Sequence, residues 1–313
     1  MRGRFIFRRS WQALGVLLAA YLVAFLLLAA LPGDAVMARY ASPELGLSAD
    51  QIEQIRQQLG ADQPLHQRLF TGLSQFATGN LGNSLATGAS VGSLLAEAIP
   101  STLILALCGF VTAVLLAVTL ALLATYGQQR WVRRLARSFP PVLVSLPVFW
   151  VGIILIQVFS FQLGWVPVIG AGPIQQLILP SIALAVPVGA PLAQVLINSI
   201  DETNEQPFVN VVKARGARPS WVLTRNVLRN ASLPAITMGG VLFTELVSNA
   251  VITETVFGRP GIGRLTIDAV AMRDTPVLLA IVVLCAFVFV VINLVIDLAY
   301  PVIDRRLRTE VAA

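Results

Sequence analysis

The sequence predicts an all-α, polytopic membrane protein with six transmembrane helices and a small external helical segment between the first and second. Three observations predict it. Of 313 residues, 56% are hydrophobic and only 12% are charged, against roughly 25% charged in soluble globular domains. Mean hydropathy is +0.78, and six stretches approach the ~20 apolar residues that a membrane helix needs. The basic residues also concentrate on alternate connecting segments. The same composition excludes a disordered chain, a coiled coil and a disulfide scaffold.

The first apolar stretch, Trp11–Leu31, follows Arg2, Arg4, Arg8 and Arg9. It is longer than the roughly 7–15 apolar residues of a signal-peptide core, so it reads as a retained anchor, with residues 1–31 forming a tail and first span. Residues 32–98 form the one sizeable extramembrane segment. Within it Ser48-Ala49-Asp50-Gln51 reads as a capping box opening a short helix, with Ile52, Ile55 and Leu59 as its apolar stripe and Gly60 as its C-cap. Pro64 is placed to start a second helix with Leu65, Leu69, Leu73 and Phe76 on one face, ended by Gly79; Gly82 and Gly88 mark turns. Residues 99–300 hold the other five spans: Ser101–Thr125, Phe139–Phe161, Ile174–Ile197, Ala235–Val256 and Val277–Leu298. Residues 301–313 form a tail.

Orientation follows from charge. Sixteen of the 22 basic residues fall on the amino-terminal tail, the second-to-third loop, the fourth-to-fifth loop and the carboxyl tail; six fall on the opposite segments. The positive-inside rule makes both termini cytoplasmic. The net charge of +6 is thereby explained as topology, and a nucleic-acid partner is not needed. Pro140, Pro141 and Pro147 in the third span, and Pro180, Pro187 and Pro191 in the fourth, read either as irregular bundle packing or as bends around a path.

The fourth-to-fifth loop, residues 201–234, is long and patterned. Phe208, Val211, Val212 and Arg215 recur at helical spacing, Gly216 suits a C-cap, and Pro219 stops continuation. Trp221 opens a second amphipathic stretch that ends at Leu233-Pro234. The first helix either lies on lipid headgroups or is presented to a soluble partner.

At KARGA and LRNASLP in this loop the chain resembles the bacterial ABC-importer permeases, specifically the dipeptide, oligopeptide and nickel branch. LPGD at Leu31–Asp34, LGADQPL at Leu59–Leu65, GNLGNS at Gly79–Ser84, ETVFGRPGIGRL at Glu254–Leu265, MRDTPV at Met272–Val277 and NLVIDLAYPVIDRRLR at Asn293–Arg308 match the same branch in order. Asn210, Asn226 and Arg305 depart from its usual residues. The resemblance implies the type I importer permease fold in a bacterial inner membrane. It implies a coupling helix carrying Phe208, Val211, Val212, Lys213, Arg215, Gly216 and Arg218 into a cleft of an ATPase subunit. It also implies a second homologous permease, two ABC ATPase subunits, an external solute-binding protein and peptide as the leading substrate. Nickel, metal chelates or opines are the alternatives within the branch. An ion-coupled secondary transporter is the alternative outside it.

Catalytic groups are not expected. The single lysine, Lys213, follows Val211-Val212 rather than a glycine-rich turn, so no P-loop exists and ATP hydrolysis falls to partner subunits. His66 stands alone, and Cys108 and Cys285 sit in apolar runs, so neither metal nor cofactor is expected. Glu245, with Ser248 and Asn249, forms a polar patch deep in the fifth span, read as path lining or interhelical glue. Glu254 and Asp297 lie near span ends and read as structural pairs. Glu254, Arg259, Arg264, Arg273 and Asp274 are also placed to contact an external binding protein, unless the charges of this loop, Asp268 included, pair with one another.

Overall fold

A computed structural model describes residues 2–30, 48–58, 63–167, 170 and 172–303. LPGD, Gly60 and the tail from 304 lie outside the described residues, as does the side chain of Asp297. The described elements are helical: α1 (Arg2–Ala30), α2 (Ala49–Gln58), α3 (Leu65–Ala77), α4 (Val91–Tyr126), α5 (Arg130–Val144), α6 (Val148–Gln162), α7 (Gln175–Asn204), α8 (Pro207–Ala214), α9 (Pro219–Val256), α10 (Ile262–Ala271) and α11 (Thr275–Ile303). Among them α1, α4, α7, α9 and α11 are each long and apolar enough to cross a membrane, and α5 with α6 makes a sixth span if the bent pair counts as one.

The expected third span, Phe139–Phe161, is not one helix. The chain turns by 111° between Val144 and Val148. Pro147 accounts for it: it sits in extended geometry at ψ 138°, has no N–H to continue the ladder, and its ring disfavours helical geometry at the residue before it. Pro180, Pro187 and Pro191, by contrast, lie inside a continuous α7. Pro234 likewise lies inside α9, so the Trp221 stretch and the fifth span form one helix, with a π-helical turn at Leu223–Val227.

The chain divides into two compact units. The first comprises Met1–Pro100 and Pro260–Val291. Ser48 and Gln51 form the expected capping box, the Ser48 N–H reaching Gln51 Oε1 at 2.8 Å and the Gln51 N–H reaching Ser48 Oγ at 3.3 Å. Along α3, Leu69, Leu73 and Phe76 are half-buried while Leu65 stays exposed. Phe76 meets Tyr21 of α1 edge-on at 5.2 Å. The core of this unit gathers Val91, Leu95, Ile262, Ala269, Val277 and Ile281.

The second unit comprises Ser101–Arg259 and Ile292–Ala313, and α7 is its centre. Lipid tails are as apolar as leucine, so spans associate through close van der Waals fit rather than hydrophobic burial. Small residues supply that fit here. Ala106, Ala113, Ala117, Ala121 and Ala124 bury one face of α4. A Cβ on Gly189 of α7 would stand 2.9 Å from the Ala113 carbonyl oxygen, so the two backbones approach as closely as glycine allows. Large apolar side chains such as Leu107, Leu115 and Val241 point outward, as a lipid-facing surface requires.

Candidate coupling and translocation sites

The loop after α7 is tied down before it emerges. Arg137 of α5 grips Asp201 with two hydrogen bonds, at 2.6 and 3.1 Å, and gives its Nε–H to the Ala124 carbonyl at 3.3 Å. The Tyr126 hydroxyl donates to Asn204 Oδ1 at 3.1 Å. Helices α4 and α5 thus fix where α7 ends.

Pro207 opens α8 at its first turn, where a missing N–H has no helical acceptor to lose. Gly216 closes it at φ +79°. The Gly216 N–H bonds the Lys213 carbonyl at 3.0 Å, and the Ala217 N–H bonds the Val212 carbonyl at 3.4 Å. Those two bonds are the Schellman pattern, and the left-handed residue it needs is the glycine. Val209 is fully buried, and Val212 packs against the core beside it. Phe208 and Val211 stand 41% and 51% exposed on the outer face. Lys213, Arg215 and Arg218 are exposed around them.

The apolar set read from spacing is therefore split. Phe208 and Val211 face outward, whereas Val212 turns inward with Val209. Val209 was missed because an amphipathic helix with two apolar faces has no single stripe. Its signal was the Val209–Val212 spacing, which makes a second face.

In α9, Glu245 and Ser248 are exposed and Asn249 is half-buried, all on one side of the helix. The Ser248 hydroxyl turns back to the Thr244 carbonyl at 3.4 Å. An ionisable side chain on the outside of a membrane helix is costly against lipid, so this side of α9 suits water or protein.

Below the α9 terminus Glu254 is fully buried and accepts from the Thr102 hydroxyl at 2.6 Å. Arg259 gives hydrogen bonds to the Gln176 carbonyl at 3.0 Å and Ser101 Oγ at 3.5 Å. Burial lowers the Arg259 pKa from its ordinary value, and the Glu254 carboxylate opposes that. The guanidinium stays charged, since an arginine titrates far above neutrality. In the first unit Asp274 is buried and receives the Ser84 hydroxyl, together with the N–H groups of Leu85 and Ala86, each at 3.2 Å. Arg264 pairs with Asp268 at 3.1 Å on the surface of α10, and Arg273 is exposed at φ 53°. Glu254 and Asp274 thus brace the chain internally and present no carboxylate outward; Arg264 and Arg273 stay exposed. Thr102 carried no signal because a lone hydroxyl in an apolar run has none, and Ser84 registered only as the end of GNLGNS, with no hint of its partner.

The family profile described as binding-protein-dependent transport system inner membrane component matches residues 113–309, and the profile for the N-terminal part of such components matches residues 2–106. The glutathione transport system permease protein GsiC of Escherichia coli strain K12 is 35% identical over 304 residues, covering 97% of this chain and 98% of that protein. GsiC of Salmonella paratyphi A is 34% identical with the same coverage. Two solved structures share the fold. An amino acid ABC transporter with histidines aligns with a TM-score of 0.53 at 19% identity, covering 67% of this chain and 94% of that one. The MetNI methionine ABC transporter in an inward-facing conformation aligns with a TM-score of 0.54 at 18% identity, covering 67% and 96%.

Proposed function

The chain belongs to the family of binding-protein-dependent transport system inner membrane components, and on that premise we propose how it works inside its importer. It is a multi-pass inner-membrane permease subunit of a binding-protein-dependent ABC importer, and not itself an enzyme. In our reading both termini and residues 201–234 are cytoplasmic, and residues 32–98 form an external segment. The chain supplies half of the translocation path, a homologous permease supplies the other half, and two ATPase subunits dock beneath.

The observation that carries this reading is α8. It is a short helix anchored from within by Val209 and offering Phe208 and Val211 as apolar contacts. An aromatic anchor of that kind suits a pocket on a soluble partner. Lys213, Arg215 and Arg218 make the rim of that contact, and Gly216 sets its exit turn. Closure of the ATPases on ATP would push on Phe208 and Val211. Val209 and the Arg137–Asp201 clamp would pass the displacement to α7 and α5. Glu245, Ser248 and Asn249 line the path on α9. Arg264 and Arg273 form the contact with the external binding protein, while Asp274 holds that surface in shape.

Peptide is the substrate class we propose. The support is the likeness to permeases named for transport of glutathione, which is a tripeptide. Reconstitution of the complex in liposomes tests both halves. Uptake of a radiolabelled tripeptide should need ATP and the binding protein. Uptake by this chain alone under a proton gradient contradicts the importer mechanism, and ATP-driven uptake of a nickel chelate or opine in place of peptide redirects the substrate.

A further inference from the structure

Helix α5 is strongly two-sided, and the importer mechanism uses only one of its residues. Arg130, Arg133, Arg134 and Arg137 fall on one face, and Trp131, Leu135, Phe139 and Val142 fall on the adjoining face, all four exposed. Ala136 and Pro140 form a third, buried side. The helix is bent by 111° from the apolar α6 that follows. The four arginines, with Ala124 and Thr125 at the end of α4, line a cavity of about 430 Å³. Arg137 is taken up by Asp201. Among the described residues Arg130, Arg133 and Arg134 have no carboxylate within ion-pair distance.

We propose that α5 lies in the membrane interface and that this cavity binds the phosphodiester of an anionic phospholipid, whose acyl chains run along Trp131, Leu135, Phe139 and Val142. Three guanidinium groups converging on one recess make a field that favours an anion there. The planar fork of arginine matches two phosphate oxygens at once. A polar face rich in arginine beside a face carrying tryptophan and leucine is the composition of a helix lying flat at the headgroups. The tryptophan at the helix start suits that depth. Acyl chains distinguish this ligand from free phosphate, because only a lipid satisfies the arginine face and the apolar face together. The leaflet follows from the orientation proposed above, but the contact itself does not depend on it.

The test uses the whole transporter, purified in detergent and exposed to equal amounts of phosphatidylglycerol and phosphatidylcholine. Native mass spectrometry then counts the lipids retained. The wild-type complex should retain phosphatidylglycerol several-fold over phosphatidylcholine. Arg130→Gln/Arg133→Gln/Arg134→Gln should bring the two to parity, and Leu135→Ser should reduce retention of both. The single substitution Arg134→Gln, at an exposed position, gives the same reading if the triple variant does not assemble. Unchanged preference for phosphatidylglycerol in the arginine variants overturns the proposal. So does complete displacement of the lipid by inorganic phosphate, which marks a free-anion site. Loss of ATPase subunits with lipid retention unchanged also overturns it, because the arginines would then serve a protein contact.

Discussion

Gly216 adopts φ +79° with open space around its Cα, so strain at this position comes from the backbone alone. A β-branched residue in the left-handed region costs about 1–2 kcal/mol, and the Schellman bonds are what would relax to relieve it. Gly216→Val should therefore weaken ATPase stimulation by substrate, while Gly216→Asn, which tolerates that region, should keep most of it; hydrolysis assays on the purified complex give the comparison. Glu254 makes a different kind of argument. Glu254→Ala removes the buried carboxylate that accepts from the Thr102 hydroxyl, a loss of about 1–3 kcal/mol. Glu254→Gln keeps an acceptor. Thermal unfolding in detergent should drop clearly for the alanine variant and less for the glutamine variant. Equal midpoints for both would remove the Thr102 bond from the account. At this scale the sequence was partly legible. The Ser48–Gln51 capping box and the Gly216 cap follow from local chemistry that acts within four residues. Ser84 and Thr102 find acids 190 and 152 positions away, and no local pattern encodes such a pairing.

Among the elements, the pairing of α4 with α7 rests on small residues facing one another. Gly189→Val would set a side chain 2.9 Å from a backbone oxygen that has nowhere to retreat. Overpacking of this kind costs about 1–3 kcal/mol, so the variant should give a lower yield of monodisperse complex by size-exclusion chromatography. Gly15→Val on α1, where a Cβ meets nothing within 4 Å, is the control that should behave as wild type. Most long helices were legible from apolar length, but their ends were not. α4 begins at Val91, before the apolar stretch that starts at Ser101, because Ser93 and Glu97 dilute the hydropathy of an amphipathic opening turn. The break at Pro147 was legible only as one of several interior prolines, because the run stays apolar across the bend. The arginines of α5 registered only as topology, since charge counting ignores the face on which a residue falls.

At the scale of the whole molecule, the proposed mechanism couples a membrane bundle to a separate engine through one exposed helix. Orientation is the first requirement. Reporter fusions after Ala89 should report an external position, and fusions after Gln129 and Asn204 a cytoplasmic one; a cytoplasmic reading at Ala89 would invert the assignment of α8. Docking is the second requirement. Phe208→Asp places a charge where the proposed docking surface offers an apolar anchor, and anchors of this kind contribute about 2 kcal/mol or more to an interface. That variant should release the ATPase subunits or uncouple their hydrolysis, whereas Lys213→Ala, a rim charge, should change little. In the proposed mechanism α8 is the surface the ATPase touches. A photo-crosslinking amino acid placed at Phe208, and separately at exposed Arg264 on α10, tests it in the intact complex. A crosslink from position 208 to the ATPase subunit is expected, and none to it from position 264. Crosslinks from 208 that reach only lipid, with the ATPase captured elsewhere, would contradict it.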